Sequence, residues 1–426
     1  MVETAGLLEL EHLKTRKNPA ILLCGPDMGR YTHSELPHYL EWFKTMSAGS
    51  TFRLRRVWLQ IHLWLGIGLA VLLVPVSLSG AALVWHDHLD ALVNPGRYAV
   101  TAGEPLRPSE LMQRAAAALE PGFQPAVVRM PESAGWPATV MAREPRRGEG
   151  GGRPRFLTVY LDPPTGRVLD VNEFRTSLIG FLHRFHENLT IPEYSGRAIV
   201  GWSGVAMLIL SLTGIYLWWP RNAGFLRGLR WSRGPALSFN LHHLLGFWIS
   251  IPLAVVSATG VYLGFPQQGR ELLSSVAPMT PQQRGGFAAP LMQRTELNID
   301  RAVETAVGAL PGSRLAAVFI PTQQAGTWRV QLRERQSESV TTVMVEDRSG
   351  STRRVEPLSG DRVALWIRWI HEGSHSGTIW QVLVFVCGVL PTLLTVTGVL
   401  IWLRSRKAKR ALGPKIAGVP QVDAAE

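Results

Sequence analysis

Nine of the chain's twelve histidines stand at the ends of long uncharged runs: His62, His86, His88, His183, His186, His242, His243, His371 and His375. An ionisable side chain at membrane depth is expensive and marks a functional position by default. A neutral imidazole there offers a metal one nitrogen lone pair. The two cysteines, Cys24 and Cys387, cannot build an iron–sulfur cluster or a thiolate zinc site, and no C-x-x-C-H haem-attachment run occurs. A site for bare zinc or iron is less expected than haem, because no acidic or thiolate ligand completes one. Two imidazoles on facing helices suit a b-type haem, held non-covalently by one axial nitrogen on each face of the iron. The competing reading is of interfacial histidines that bond lipid headgroups or backbone carbonyls, and for one isolated histidine it is the better one.

A duplication pairs the histidines. His62-x3-Gly66 followed by Ser79-Gly80 recurs as His242-x3-Gly246 followed by Thr259-Gly260, with 18 residues from His to the second Gly in both. Leu212-Thr213-Gly214-Ile215 recurs as Val396-Thr397-Gly398-Val399, and Asp162-Pro163-Pro164-Thr165-Gly166 faces Glu346-Asp347-Arg348-Ser349-Gly350. The register stays between 180 and 184 residues. His62 and His242 are therefore mates, as are His186 and His371, which lie 27 and 26 residues before Thr213 and Thr397. The expected ligands are His62 and His242 for an inner haem and His186 and His371 for an outer one. His183, one helical turn before His186, is the first substitute at the outer site, followed by His86. His243 is the weaker inner candidate, since it points about 100° away from His242 on a helix. Gly66, Gly246, Gly80 and Gly260 are small enough to let a porphyrin approach the helices.

The elements that must carry these residues are four stretches without Asp, Glu, Lys or Arg: 57–85, 198–219, 241–265 and 378–403. Each reaches the roughly 20 residues a helix needs to cross a bilayer. Of 426 residues 46% are hydrophobic and 18% charged, which excludes a disordered chain, and fifteen Trp suit membrane interfaces. The net charge of +12 has a topological home. Residues 1–56, 220–240 and 404–426 hold 18 basic and 8 acidic residues, against 26 and 24 elsewhere. These three segments are expected in the cytoplasm, both termini included, and two loops of about a hundred residues outside. No nucleic-acid partner is needed to explain the charge.

The expected organisation runs as a cytoplasmic tail (1–52), first span (53–88), outer domain (89–178), interfacial helix with second span (179–220), cytoplasmic loop (221–240), third span (241–266), second outer domain (267–362), interfacial segment with fourth span (363–404) and basic tail (405–426). Two such units imply a mainly α membrane fold, a four-helix bundle with a pseudo-twofold along the membrane normal. Each outer domain opens on an amphipathic helix, near 108–119 and 300–310. Short alternating strands follow at 126–130, 138–142 and 156–161, then at 315–320, 327–332 and 341–345. These are small α+β modules. Residues 144–154, rich in Gly and Arg, read as a mobile hairpin tip. Residues 1–45 hold no cleavable signal, no span and no repeat-mate, and are expected to be poorly ordered and dispensable.

At Ile61-His62-Leu63-Trp64-Leu65-Gly66, Phe185-His186-Glu187-Asn188-Leu189 with Gly196-Arg197, Leu241-His242-His243-Leu244-Leu245-Gly246, and His371-Glu372-Gly373 with Gly377, the chain resembles the PepSY-associated transmembrane family. The resemblance covers about residues 52–410. It implies PepSY-like outer domains in the periplasm and placement in a bacterial inner membrane. Some members resemble iron-regulated membrane proteins and di-haem ferrisiderophore reductases, others regulatory or binding proteins. The expected function is electron transfer through two b haems to a ferric siderophore or other Fe(III) chelate at the periplasmic face. Fe(II) is the softer ion and is held far more weakly by oxygen chelators. With no nicotinamide or flavin motif and cytosolic loops this short, the donor must be a membrane quinol or a separate cytosolic flavoprotein. More than twenty residues, about 30 Å of helix, separate His62 from the outer face, a long gap for one electron hop. The alternative is a membrane-anchored periplasmic PepSY regulator without redox activity. A siderophore transporter is poorly supported, because no polar face lines the spans.

Overall fold

The computed structural model describes residues 50–144, 155–220, 225–231, 236–281, 289–334, 339–375 and 377–416. The expectations for residues 1–45 and for the hairpin tip at 145–154 lie outside the described residues. In chain order the elements are α1 (Ser50–Gly68), α2 (Ala70–Val84), α3 (His86–Val93), α4 (Pro108–Ala118), β1 (Gln124–Arg129), β2 (Ala138–Arg143), β3 (Phe156–Leu161), β4 (Val168–Glu173), α5 (Leu178–Asn188), α6 (Gly196–Trp218) and the single turn α7 (Phe225–Gly228). There follow α8 (Leu237–Gly264), α9 (Pro266–Ser274), α10 (Ile299–Ala309), β5 (Ser313–Phe319), β6 (Thr327–Glu334), β7 (Val340–Glu346), β8 (Thr352–Val355), α11 (Ser359–Glu372) and α12 (Gly377–Ile416). They form two compact units, one from described residues within Met1–Ala81, Ala198–Gly264 and Ser376–Glu426, the other from Ala82–Arg197 and Phe265–His375.

In the first unit, α6, α8 and the Gly377–Lys407 part of α12 are each long and apolar enough to cross a membrane, and only 22–28% of each apolar window is buried within the chain. Trp248 and Ile251 are each 63% exposed and Ile379 89%. Apolar surface on this scale belongs against lipid rather than water. The expected first span is two helices, α1 and α2, bent by 70° at Leu69. Gly66 and Gly68 weaken the turn before the bend, and Pro75 gives Val71 no helical donor. The repeat-mate of Gly68 is Trp248, and α8 runs unbroken through it despite its own Pro252.

Helix contacts in this unit follow the duplication. A Cβ on Gly204 of α6 would stand 3.2 Å from Val261 on α8, and one on its mate Gly388 of α12 would stand 2.7 Å from Ala81 on α2. Ser257 and Ser77 flank the two crossings in equivalent positions. Close backbone approach at a small residue is how helices associate where lipid removes the hydrophobic drive. Ile249, Leu253 and Cys387 fill the space between α8 and α12.

The second unit is built on one eight-stranded antiparallel sheet, ordered β4-β3-β2-β1-β5-β6-β7-β8. The two expected α+β modules are thus not separate. Each contributes four strands, and Val127, Val128 and Arg129 of β1 pair with Phe319, Val318 and Ala317 of β5. Helices α4 and α10 pack on one face over a continuous core that includes Leu111, Val140, Val159, Ala302, Trp328, Val330 and Val343. Strands β4 and β8, which the alternation did not pick out, close the two edges. Their exposure patterns lack a clean buried stripe because only one neighbour covers each.

Candidate functional site

The membrane unit brings His62 and His242 together, with ring centroids 6.3 Å apart and planes at 87°. His62 sits on α1 two turns past Arg55, and His242 in the second turn of α8. Nδ1 of His62 lies 2.8 Å from Thr213 Oγ1 on α6. That hydroxyl donates to the Ile209 carbonyl at 2.7 Å, and the Leu210 carbonyl is a further partner of His62, an oxygen that can only accept. Nδ1 of His242 lies 3.0 Å from both the Leu394 carbonyl and Thr397 Oγ1 on α12. Thr397 likewise donates to the Leu393 carbonyl. Both histidines therefore carry the proton on Nδ1 and keep the Nε2 lone pair for a ligand. This is the second-sphere arrangement that fixes tautomer and ring orientation in metal-binding histidines.

The pair lines a cavity of about 880 Å³ walled mostly by apolar side chains of α1, α6, α8 and α12, with Arg55, Arg56 and Arg406 also in its lining. That lies within the 300–1,000 Å³ usual for cofactor pockets. Of the four glycines expected beside a porphyrin, Gly66 and Gly246 line it, each facing a leucine of the neighbouring helix, Leu210 and Leu394. Gly80 and Gly260 lie fourteen residues farther along and are not among its lining residues. Their place is taken by Gly214 and Gly398, whose Cβ atoms would stand 3.6 and 3.3 Å from Cε1 of His62 and His242. His243 lines the same cavity and is stacked on Phe239 at 5.5 Å and Trp218 at 6.1 Å.

Four of the six histidines of the sheet unit stand in two pairs. His186 of α5 and His371 of α11 have ring centroids 6.2 Å apart at 36°. His86 of α3 and His183 of α5 stand 6.0 Å apart at 34°. Local chemistry places each carrier. Ser177 caps α5 by accepting from the Gly180 N–H, and Leu189 ends it in the left-handed region. Gly373, at φ 77°, stops α11 two residues after His371. Arg97, buried between Asp90 at 2.7 Å and Asp170 at 2.6 Å, ties α3 to β4. The side-chain hydrogen bond to Asp87 raises the pKa of His86, while burial lowers that of His183. Nδ1 of His183 faces the Ile179 carbonyl at 3.2 Å, so its Nε2 too is left for a ligand. His88 packs edge-on to Trp85 and Trp136, and His375 stacks on Trp369 at 4.8 Å.

Three imidazole pairs thus stand at 6.0–6.3 Å between ring centres, His62–His242, His186–His371 and His86–His183, a spacing at which the two nitrogens of a pair would suit one metal ion between them. Among the described residues no group of three or more His, Cys, Asp or Glu side chains could hold a metal ion by itself.

The family model described as the PepSY-associated TM region matches residues 59–405. The chain belongs to the PepSY-associated transmembrane family. The match takes in all four histidines of the inner and outer pairs, and with them Thr213, Thr397, Gly214 and Gly398. No curated protein sequence matches the chain. The threonines are the residues that inspection of the histidines alone passes over. Their signal is the repeated Thr-Gly dipeptide, which marks the duplication without revealing that its hydroxyl faces an imidazole.

Proposed function

We propose that this member of the family is a di-haem b electron conduit of the bacterial inner membrane that reduces Fe(III) chelates, siderophores among them, at the periplasmic face. The observation that carries the reading is the repeat-related pairing of imidazoles, His62 with His242 and His186 with His371, at 6.3 and 6.2 Å. When bound, each b-type haem supplies a one-electron carrier whose potential its axial ligands set. Thr213, Thr397 and the Leu394 carbonyl hold the inner imidazoles in the ligating tautomer. Gly214 and Gly398 keep the space beside them open, and most of the wall contributed by α1, α6, α8 and α12 is apolar. Reduction of one ferric ion takes one electron, drawn from a membrane quinol or a cytosolic flavoprotein.

The same reading makes α1 with α2, α6, α8 and α12 four spans of one duplicated bundle. Both termini are cytoplasmic and the eight-stranded sheet is periplasmic. The arginines at 53–56, 221–233 and 404–410 support this orientation. A reporter fused after Arg410 that was active only in the periplasm would contradict it.

The decisive measurement is the reduced-minus-oxidised spectrum of the purified protein in lipid nanodiscs. A low-spin b-type spectrum with two haems per chain is expected. A colourless protein with intact spans would leave the family's other role, a membrane-anchored regulator, in its place.

A further inference from the structure

Of the three imidazole pairs, His86 and His183 are the one that the duplication did not make. Pro266 follows Phe265 where His86 follows Trp85, and Arg368 stands three residues before His371 where His183 stands three before His186. The second repeat therefore has no histidine at either position, and has a cation at one of them. Haems held by repeat-mates leave this pair unused, yet each of its rings is set as a metal-binding imidazole is set.

Both rings are held at Nδ1 by an oxygen. Nδ1 of His86 lies 3.1 Å from the Asp87 carboxylate, and Nδ1 of His183 lies 3.2 Å from the Ile179 carbonyl one turn back on α5. Among the described residues neither Nε2 has a hydrogen-bond partner. A carboxylate or carbonyl behind one ring nitrogen fixes the tautomer and raises the basicity of the other, which is how metal-binding histidines are oriented. The ring centres are 6.0 Å apart with planes at 34°, and Phe174 meets His183 edge-on at 5.6 Å. The surroundings favour a cation. Glu372 acts on both rings, Glu187 on His183 and Asp90 on His86, although Glu372 also bonds Arg368 and Asp90 also bonds Arg97. The side chains of His86 and Asp87 are 44% and 59% exposed, so an ion reaches the pair from the surface.

We infer that His86 and His183 bind one divalent transition ion of the Zn(II)–Cu(II) class, separate from either haem. Neutral imidazoles are borderline donors that suit these ions, whereas Mg(II) and Ca(II) take oxygen. Two protein nitrogens leave the other coordination positions to water or to an incoming ligand, so the ion is exchangeable rather than structural. Asp87 is a positioning residue, acting on the ion through His86. The site lies on α3 and α5 alone and does not depend on haem being bound.

The test uses the full-length, untagged protein in nanodiscs, titrated with Zn(II) against a chromogenic competitor and with Cu(II) followed by electron paramagnetic resonance. One ion per chain is expected beyond any haem, with a Cu(II) signal split by two imidazole nitrogens. His86→Ala and His183→Ala should each abolish that equivalent, and His88→Ala should keep it. Asp87→Asn should weaken binding roughly tenfold or more, the scale of a lost carboxylate behind a ligating histidine. The haem spectrum should be the same in all four variants as in the parent. If the purified protein is colourless, the titration is made on a His62→Ala, His186→Ala background, so that the other two pairs contribute nothing. Persistence of the equivalent in both alanine variants would overturn the proposal. So would a Cu(II) signal from the unmutated protein with one nitrogen or none, a readout that needs no variant to fold. Loss of low-spin haem in step with the ion in His183→Ala would overturn it as well, because the pair would then be ligands of the outer haem.

Discussion

Nδ1 of His62 lies 2.8 Å from the hydroxyl of Thr213, and its repeat-mate His242 meets both Thr397 and the Leu394 carbonyl at 3.0 Å. The two imidazoles are thus held by equivalent threonines, and equivalent leucine carbonyls, Leu210 and Leu394, partner them as well. Thr213→Val and Thr397→Val should each remove one acceptor and leave a carbonyl. Haem retention after purification should fall in both variants, by up to roughly tenfold, the lower end for loss of a second-sphere partner. No loss in either variant would show that the threonines do not orient the ligands.

Ligand assignment is read from single substitutions. His62→Ala or His242→Ala should remove or turn high-spin the inner haem alone, and His186→Ala or His371→Ala the outer one alone, each costing about half the low-spin absorbance. His88→Ala, whose ring packs on Trp85 and Trp136, should do neither. Because His86 and His183 form a second pair at 6.0 Å, His183→Ala discriminates at the outer site. Loss of the outer haem there, with His186→Ala silent, would move the ligands one turn along α5.

The helix crossings give an asymmetric packing prediction. Gly388→Ala places a methyl 2.7 Å from the Ala81 side chain and 2.8 Å from the Ser77 carbonyl, and backbone cannot yield cheaply. Gly204→Ala meets only the tip of Val261 at 3.2 Å. Overpacking of the first kind costs about 1–3 kcal/mol. Thermal unfolding in detergent should show a clear loss for Gly388→Ala and a smaller one for Gly204→Ala.

Acid should act on the sheet unit through Asp162, a fully buried residue in the β3–β4 turn. Burial opposes its charge, but hydrogen bonds from Thr165 and from the N–H and hydroxyl of Thr101 prevail, and the carboxyl titrates below its usual range. A folded pKa below the unfolded value of about 3.9 gives stability that is complete above that pH and lost as pH falls through the folded value. Asp162→Asn should lower stability near neutrality and flatten the acid limb of the unfolding curve. A variant with an unchanged acid limb would show that this carboxylate is not what the pH dependence reports.

The sequence by itself determined the apolar spans, the duplication and which histidines are mates, because these are properties of local composition and of one register of 180–184 residues. It also set the helices at 108 and 300 and six of the eight strands, whose alternation is plain wherever a strand has neighbours on both sides. Only the tertiary structure decided what local pattern cannot encode. It placed a threonine hydroxyl against each inner imidazole across 151 and 155 residues. It exchanged Gly80 and Gly260 for Gly214 and Gly398 beside the histidines, and set His86 against His183 as a second outer pair. It bent the first span at Leu69, next to Gly68, whose equivalent in the other repeat is Trp248. It also fused two modules into one sheet, because the β1 edge of one buries its unpaired backbone groups against β5 of the other. Hydrogen bonds and close contacts between distant segments depend on how helices cross and edges pair, and a one-dimensional pattern specifies the faces that meet but not the atoms.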